Sequence, residues 1–227
     1  LWSYWVPRRS MLGDGAKMTL FGLQAFLREY LVDYFRRNFF EREINDVLSE
    51  YEEYMTVQLG RRHDRPVAPV QPMVDLHRLG YLPLEMRAVP EGTVVPMGVP
   101  CIELTNTLPG FAWLVQWVEC MLQAELWKPC NHATIAGMYY ALADRYYRAT
   151  GCDPDRAPLA MSDFGMRGMS GLDEAVKCSA AWLTCFDKTS TVPALPWLDR
   201  HYGASVGCSG IGRGAVSTEH SVISANY

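Results

Sequence analysis

The stretch Ser162 to Gly171, "SDFGMRGMSG", gathers an acid, an aromatic ring and an arginine among small and flexible side chains. Three chemistries call for such a set: a kinase-type metal-binding Asp-Phe-Gly, a structural strand-to-helix turn, or a site that stacks a flat ring on Phe164 and holds its substituent with Arg167. The first needs an upstream H-R-D-x-x-x-x-N catalytic loop, a glycine-rich loop and a strand lysine. None of these is present, and the nearest fragment, "HDRP" at His63, has no catalytic-loop asparagine. Farther on, "GCSGIGRGAVSTEH" offers glycines whose backbone N–H groups could cradle an anion. Its spacing fits neither G-x-G-x-x-G nor G-x-x-x-x-G-K-[ST]. The turn and the ring site remain open on these residues alone.

The elements around this stretch follow from periodicity. From Thr19, the residues Leu20, Leu23, Leu27, Tyr30, Leu31 and Tyr34 recur at three- and four-residue steps and predict an amphipathic helix. A second such stripe, Ile44, Val47, Leu48, Tyr51 and Met55, runs to a stop at Gly60, followed by the loop "RRHDRPVAPVQP". Alternation at Leu82, Leu84, Met86 and Ala88, the turn-rich "VPEGTVVPMGVP" and the apolar run Val99 to Leu104 predict a small β region. Two long helices are expected next, "FAWLVQWVECMLQAELW" and "NHATIAGMYYALADRYYRATG", the second closed by Gly151. The Pro- and Asp-rich "GCDPDRAP" is the expected linker, dividing a mixed α/β domain over residues 1–152 from a βα-repeating domain over 153–227.

Beyond the linker the pattern becomes strand, loop, helix. "LAMSDFG" predicts a short strand, "SGLDEAVKCSAAWLTCF" a helix opened by a Ser170/Asp173 capping box, "CFDKTST" a second strand, and "TVPALPWLDRHYG" a helix with Pro193 near its first turn. Alternating strands and helices imply a parallel sheet or barrel whose ligand loops lie at the C-terminal strand ends. Phe164, Arg167 and Ser190 are all expected at such ends.

Composition narrows the function classes. About half of the residues (49%) are hydrophobic, enough for a real core, and the net charge of −4 is spread without long runs of one sign, which excludes a nucleic-acid footprint or a polybasic membrane patch. No apolar run approaches the roughly 20 residues of a spanning helix. The seven cysteines show no C-x-x-C pair and no zinc-type spacing against the five histidines. Reduced, mostly buried thiols of a soluble, cytoplasmic protein are expected, with no protein-held metal.

Taken together, "DFGMRGMS", "CFDKTSTVPAL" and "STEHSVISA", in this order and spacing, resemble the nicotinamide phosphoribosyltransferases and their nicotinate-using relatives, the type II phosphoribosyltransferases. The likeness extends to "YWVPRR", "LPLEMRAVPEGTVVPMGVP" and "ELTNTLPGFAWLVQWVECMLQAELWKP". It implies a mixed α/β domain followed by the first part of an irregular α/β barrel, and transfer of a phosphoribosyl group from phosphoribosyl pyrophosphate to nicotinamide in NAD salvage. Nicotinate as substrate, or a degenerate non-catalytic relative, are the alternatives. A chain that starts at leucine and stops just after "STEH" is expected to be a fragment of a protein about twice as long.

The resemblance also implies roles. The pyridine ring would lie between Phe164 and a tyrosine of a second subunit, so a homodimer is implied. Arg167 would donate to the ring's carbonyl substituent. Arg8 would serve the pyrophosphate, with Gly214 and Ala215 on the phosphate side and Mg²⁺ accompanying the substrate. His220 aligns with the histidine that these enzymes phosphorylate when they couple ATP to synthesis. Two departures stand out: Ser190 occupies the place of an aspartate that accepts from the carboxamide NH₂, and Gly214 that of a serine. Asp187 could replace the lost carboxylate only in a reshaped loop.

Overall fold

The computed structural model describes residues 1–227 except Asp14, His63, Asp64 and Val67; the "HDRP" fragment therefore lies partly outside the described residues. In chain order the elements are β1 (Trp2–Trp5), β2 (Lys17–Thr19), α1 (Leu23–Phe26), α2 (Ile44–Leu59), β3 (Arg61–Arg62), β4 (Arg65–Pro66) and α3 (Gln71–Leu79). Then follow β5 (Leu84–Ala88), β6 (Val94–Pro96), β7 (Ile102–Asn106) and α4 (Ala112–Ala149). The last part holds β8 (Ser162–Asp163), α5 (Leu172–Trp182), β9 (Lys188–Thr189), α6 (Ala194–Tyr202), α7 (Val206–Ser209) and α8 (His220–Ala225). The contacts divide the chain into two compact units, residues 1–9, 23–89 and 98–125 in one and 10–22, 90–97 and 126–227 in the other. The expected linker lies inside the second unit, where Pro154–Leu159 forms a short 3₁₀ turn capped by the Asp153 carboxylate on the Asp155 N–H.

The first unit is built on an antiparallel sheet of order β1-β7-β5, with Trp5 opposite Ile102 and Ala88 opposite Ile102 on the other side. Along β7, Ile102 and Leu104 are buried while Glu103 between them is exposed, the period-two pattern of a half-buried strand. Leu114, Val115, Val118 and Leu122 bury the matching stripe of the first part of α4.

The stripe from Thr19 resolves differently from its expected form. Thr19 ends β2, the α-helical turn begins only at Leu23, and Leu27–Tyr34 and Arg36–Phe40 wind as π-helix, with the Glu41 N–H reaching back to the Arg36 carbonyl. The wider turn takes three- and four-residue spacing off a single face, and no residue of Leu27–Tyr34 is fully buried. Leu23, Ala25 and Phe26 carry the burial instead. Helix α2 ends at Gly60 as expected (φ 81°). Helix α3, for which no element was expected, starts on the last two residues of the expected loop, with Pro72 in its first turn, where a missing N–H costs nothing.

The two long helices expected on either side of "KPC" are one continuous helix, α4, with Pro129 in its second-unit part. An interior proline removes one ladder bond and typically costs about 3 kcal/mol. Here its ring is buried against Gly22, whose φ of 102° favours glycine; a Cβ there would meet Pro129 and Leu126 at 3.5 and 3.4 Å, ordinary contact distances. The Phe21 N–H bonds the Cys130 thiol (3.5 Å) and the Thr19 N–H the Thr134 hydroxyl (2.9 Å), fixing the same segment to the helix. Leu126, Cys130, Ala133 and Ala136 form the buried stripe of this part of α4.

The βα pattern after the linker is present. Strands β8 and β9 pair in parallel, Ser162 with Lys188 and Asp163 with Thr189, and a parallel bridge from Lys188 to Arg213 starts a third position. Helix α5 crosses between them and buries Ala175 to Ala181. The expected Ser170/Asp173 capping box does not form: Gly171 is the N-cap without a side-chain bond, and Ser170 accepts instead from Lys128 at 3.4 Å. Ser170 bonds Glu174 instead of Asp173, through both its side chain and its backbone, and Lys128 pairs with the same Glu174 carboxylate. All seven cysteines are unbridged; three are buried (Cys101, Cys130, Cys178) and three exposed (Cys120, Cys152, Cys208), fewer buried than expected. No described helix is long and apolar enough to cross a membrane.

Candidate active site

Because β8 and β9 run in parallel and in register, the residues that leave them emerge side by side. Phe164 follows Asp163 directly and caps a 3₁₀ turn, Gly165–Gly168, that carries Met166 and Arg167. The turn is tied at its start by the Gly165 N–H donating to Asp163 Oδ1 at 2.7 Å. Glycine is required there, since a Cβ would sit 2.9 Å from that same oxygen. Ser190 follows β9, its N–H and its hydroxyl both donating to the Asp163 carbonyl, at 2.9 and 3.1 Å. A third loop runs on from Arg213, whose N–H donates to the Asp187 carbonyl at 2.7 Å and whose carbonyl accepts from Thr189 at 3.2 Å, and leads to α8.

These three loops line one cleft of about 1000 Å³, walled by Phe164, Met166, Arg167, Ser190, Ser217, Thr218, Glu219 and His220. Phe164 is 54% exposed, so a face of the ring is open to a flat partner. Arg167 is exposed, and among the described residues no carboxylate pairs with it. A half-open ring beside an uncommitted guanidinium can stack a planar heteroaromatic and donate to its carbonyl substituent, the stack being worth on the order of 1 kcal/mol beyond burial.

Of the residues singled out from sequence, Phe164, Arg167, Ser190 and His220 meet in this cleft. Gly214 and Ala215 lie between the Arg213 bridge and Ser217 and do not line it; a Cβ on Gly214 would meet nothing within 4 Å. Arg8 is exposed in the first unit, and the cleft is lined by residues of the second. Asp187 precedes β9 whereas Ser190 follows it, so the two flank opposite ends of the strand, and Asp187 is not in the lining. The backbone of Asp187 is held at both sides, its N–H on the Pro158 carbonyl (2.9 Å) and its carbonyl by Arg213. Sequence reasoning missed Met166, Ser217 and Thr218 as lining residues. Their only signal is their place in loops that leave parallel strands.

The same architecture recurs in known proteins. Over 97% of its length the chain superposes on the crystal structure of human nicotinic acid phosphoribosyltransferase, with a TM-score of 0.56 and 21% identity, covering 35% of that chain. No family model matches the chain. The nicotinamide phosphoribosyltransferase of Acinetobacter baylyi is 35% identical over 228 residues, which is 98% of this chain and 44% of the relative. That of Xanthomonas campestris is 33% identical over 147 residues, 64% of this chain. The fold is therefore that of a phosphoribosyltransferase. The chain is homologous to the nicotinamide phosphoribosyltransferases, and it spans about half the length of the curated relatives it matches.

Proposed function

We propose that the protein carrying this chain transfers a phosphoribosyl group from phosphoribosyl pyrophosphate to nicotinamide, as a step of NAD salvage. The observation that carries this reading is the convergence of Phe164, Arg167, Ser190 and His220 on one cleft at the ends of two parallel strands. The unprotonated pyridine nitrogen is itself the nucleophile: its lone pair forms the bond to C1 of the ribose while the bond from C1 to the pyrophosphate oxygen breaks, and no proton needs to move. The protein's task is then positioning and charge stabilisation. Phe164 stacks the ring and Arg167 donates to the substituent's carbonyl oxygen. Ser190, its own proton committed to the Asp163 carbonyl, accepts from the carboxamide NH₂.

On the pyrophosphate side, Gly214 and Ala215 leave room for phosphate oxygens, and the role of Arg8 there rests on the sequence resemblance alone. Among the described residues no group of three or more His, Cys, Asp or Glu could hold a metal ion. Mg²⁺ fits this set as an ion delivered on the substrate's own oxygens, its usual mode with phosphates. The open face of Phe164 suits a second subunit completing the stack in a homodimer. A reducing cytoplasm suits seven unbridged thiols.

Nicotinate is the second reading, favoured by Ser190 standing where a repelling carboxylate would be and by Asp187 lying at the far end of β9. The test is mononucleotide formation by the full reading frame, with Mg²⁺ and phosphoribosyl pyrophosphate, on each pyridine, with and without ATP. Nicotinamide mononucleotide is the expected product. ATP should raise its yield, and His220→Ala should abolish that gain while leaving basal transfer in part. Turnover of neither pyridine would leave a non-catalytic relative.

A further inference from the structure

The acid of "DFG" is turned away from chemistry. Asp163 Oδ1 accepts from the Gly165 N–H (2.7 Å), and Oδ2 accepts from the hydroxyls of Thr189 (3.0 Å) and Thr191 (3.1 Å). The Thr189 hydroxyl has one proton, and Asp163 takes it. Its contacts with the Thr191 N–H (2.9 Å) and the Ser179 hydroxyl (2.8 Å) are therefore both acceptances, which makes Ser179 the donor. The order of donation runs from Ser179 to Thr189 to Asp163, joined there by Thr191. Each hydroxyl in it is buried, Thr191 at 0% and Thr189 at 3% exposure.

That network does work the strands cannot do alone. Strands β8 and β9 are two residues each, too short for their ladder to fix the loops that leave them. Ser190 is bracketed by the two threonines that bind Asp163, and Phe164 is the residue after Asp163. We propose that Asp163, Thr189 and Thr191 are a positioning unit that sets the distance between Ser190 and the Phe164 and Arg167 loop, and thereby the width of the pyridine site. Buried, fully satisfied hydrogen bonds of this kind strengthen one another and hold a single geometry. None of the three residues lines the cleft. The proposal rests on the pyridine site proposed above.

The test uses the protein in its full reading frame. Thr191→Val removes one donor to Asp163, and Thr191→Ser keeps it. The valine variant should raise the KM for the pyridine by about tenfold or more, since small misplacements of reacting groups are costly. The KM for phosphoribosyl pyrophosphate should hold, and the Ser190 and Gly165 amides should exchange faster with solvent. The serine variant should restore all three. Asp163→Asn, which cannot accept at both oxygens, is the second variant should valine prevent folding, and it should give the same split. Equal rises in both KM values, in step with a fall in Tm, would overturn the proposal, as would faster Ser190 exchange with the pyridine KM unmoved. A wild-type protein that binds no pyridine would instead overturn the assigned function, and this inference with it.

Discussion

Ser190 faces the cleft as an acceptor because its hydroxyl proton goes to the Asp163 carbonyl. An aspartate there would offer a charge in place of a dipole. For nicotinamide that strengthens the bond from the carboxamide NH₂, by roughly 1 to 2 kcal/mol; for nicotinate it introduces like-charge repulsion in a shielded site. The two effects act in one direction. Ser190→Asp should therefore shift the kcat/KM ratio toward nicotinamide by at least about tenfold, or 1.4 kcal/mol of differential transition-state binding. A wild-type protein that already rejects nicotinate, with a ratio unmoved by the substitution, would show that another residue sets the preference. Asp187, which precedes β9 and is not in the cleft lining, would take that role only in a reshaped loop. On the same site, Phe164→Ala should raise the pyridine KM, and Arg167→Ala should lower kcat as well; unchanged kinetics in both would remove the ring site. These residues were legible because a motif placed them just past strands. The bonds of Asp163 to Thr189 and Thr191 were not, since they join positions 26 and 28 residues apart and no local pattern announces them.

At the scale of elements, the sequence was read well where one local signal acted and poorly where two competed. Gly60 and Gly203 end their helices with positive φ, as glycine past a periodic stripe foretells. Two helices are expected on either side of "KPC", yet the segment around Gly22 packs on the Pro129 ring and the helix runs through. Ser170 reads as half of a capping box with Asp173, yet its bonds go to Glu174 and Lys128. Lys128 does more than bond that hydroxyl. Its hydrogen bond to Glu174, helped by Ser170, holds that carboxyl below the ordinary carboxylate range. A depressed folded-state value contributes stability above the ordinary range and loses it as pH falls through the depressed one. The Tm of the wild type should thus exceed that of Lys128→Met at neutral pH, with the gap closing below about pH 4. A gap that stays constant into acid would mean that Lys128 stabilises by packing its stem and not by its charge.

The two units are interleaved along the chain, which passes between them at residues 9/10, 22/23, 89/90, 97/98 and 125/126. This organisation was invisible to a reading that looks for linkers, because the last of these crossings falls inside one continuous helix, with no change in composition to mark it. The linker that composition does mark, "GCDPDRAP", is folded into the second unit. Interleaving has a consequence for unfolding. Neither unit is a single run of chain, so loosening one releases the ends of segments that belong to the other, and a helix that serves both cannot melt for one alone. Buried thiols report on each separately: Cys101 in the first unit, its thiol pushed up to about 11 by burial, and Cys178 in the second, pushed up to about 12, chiefly by burial and then by Glu174. Both are protonated and shielded in the native state, whereas Cys120, Cys152 and Cys208 are exposed. A thiol reagent at neutral pH should modify those three at once. With rising denaturant, Cys101 and Cys178 should become reactive together, at one midpoint, as a cooperative two-state transition requires. Modification of Cys101 at a clearly lower denaturant concentration than Cys178 would show that the units unfold independently, and that the shared helix frays between Glu125 and Leu126.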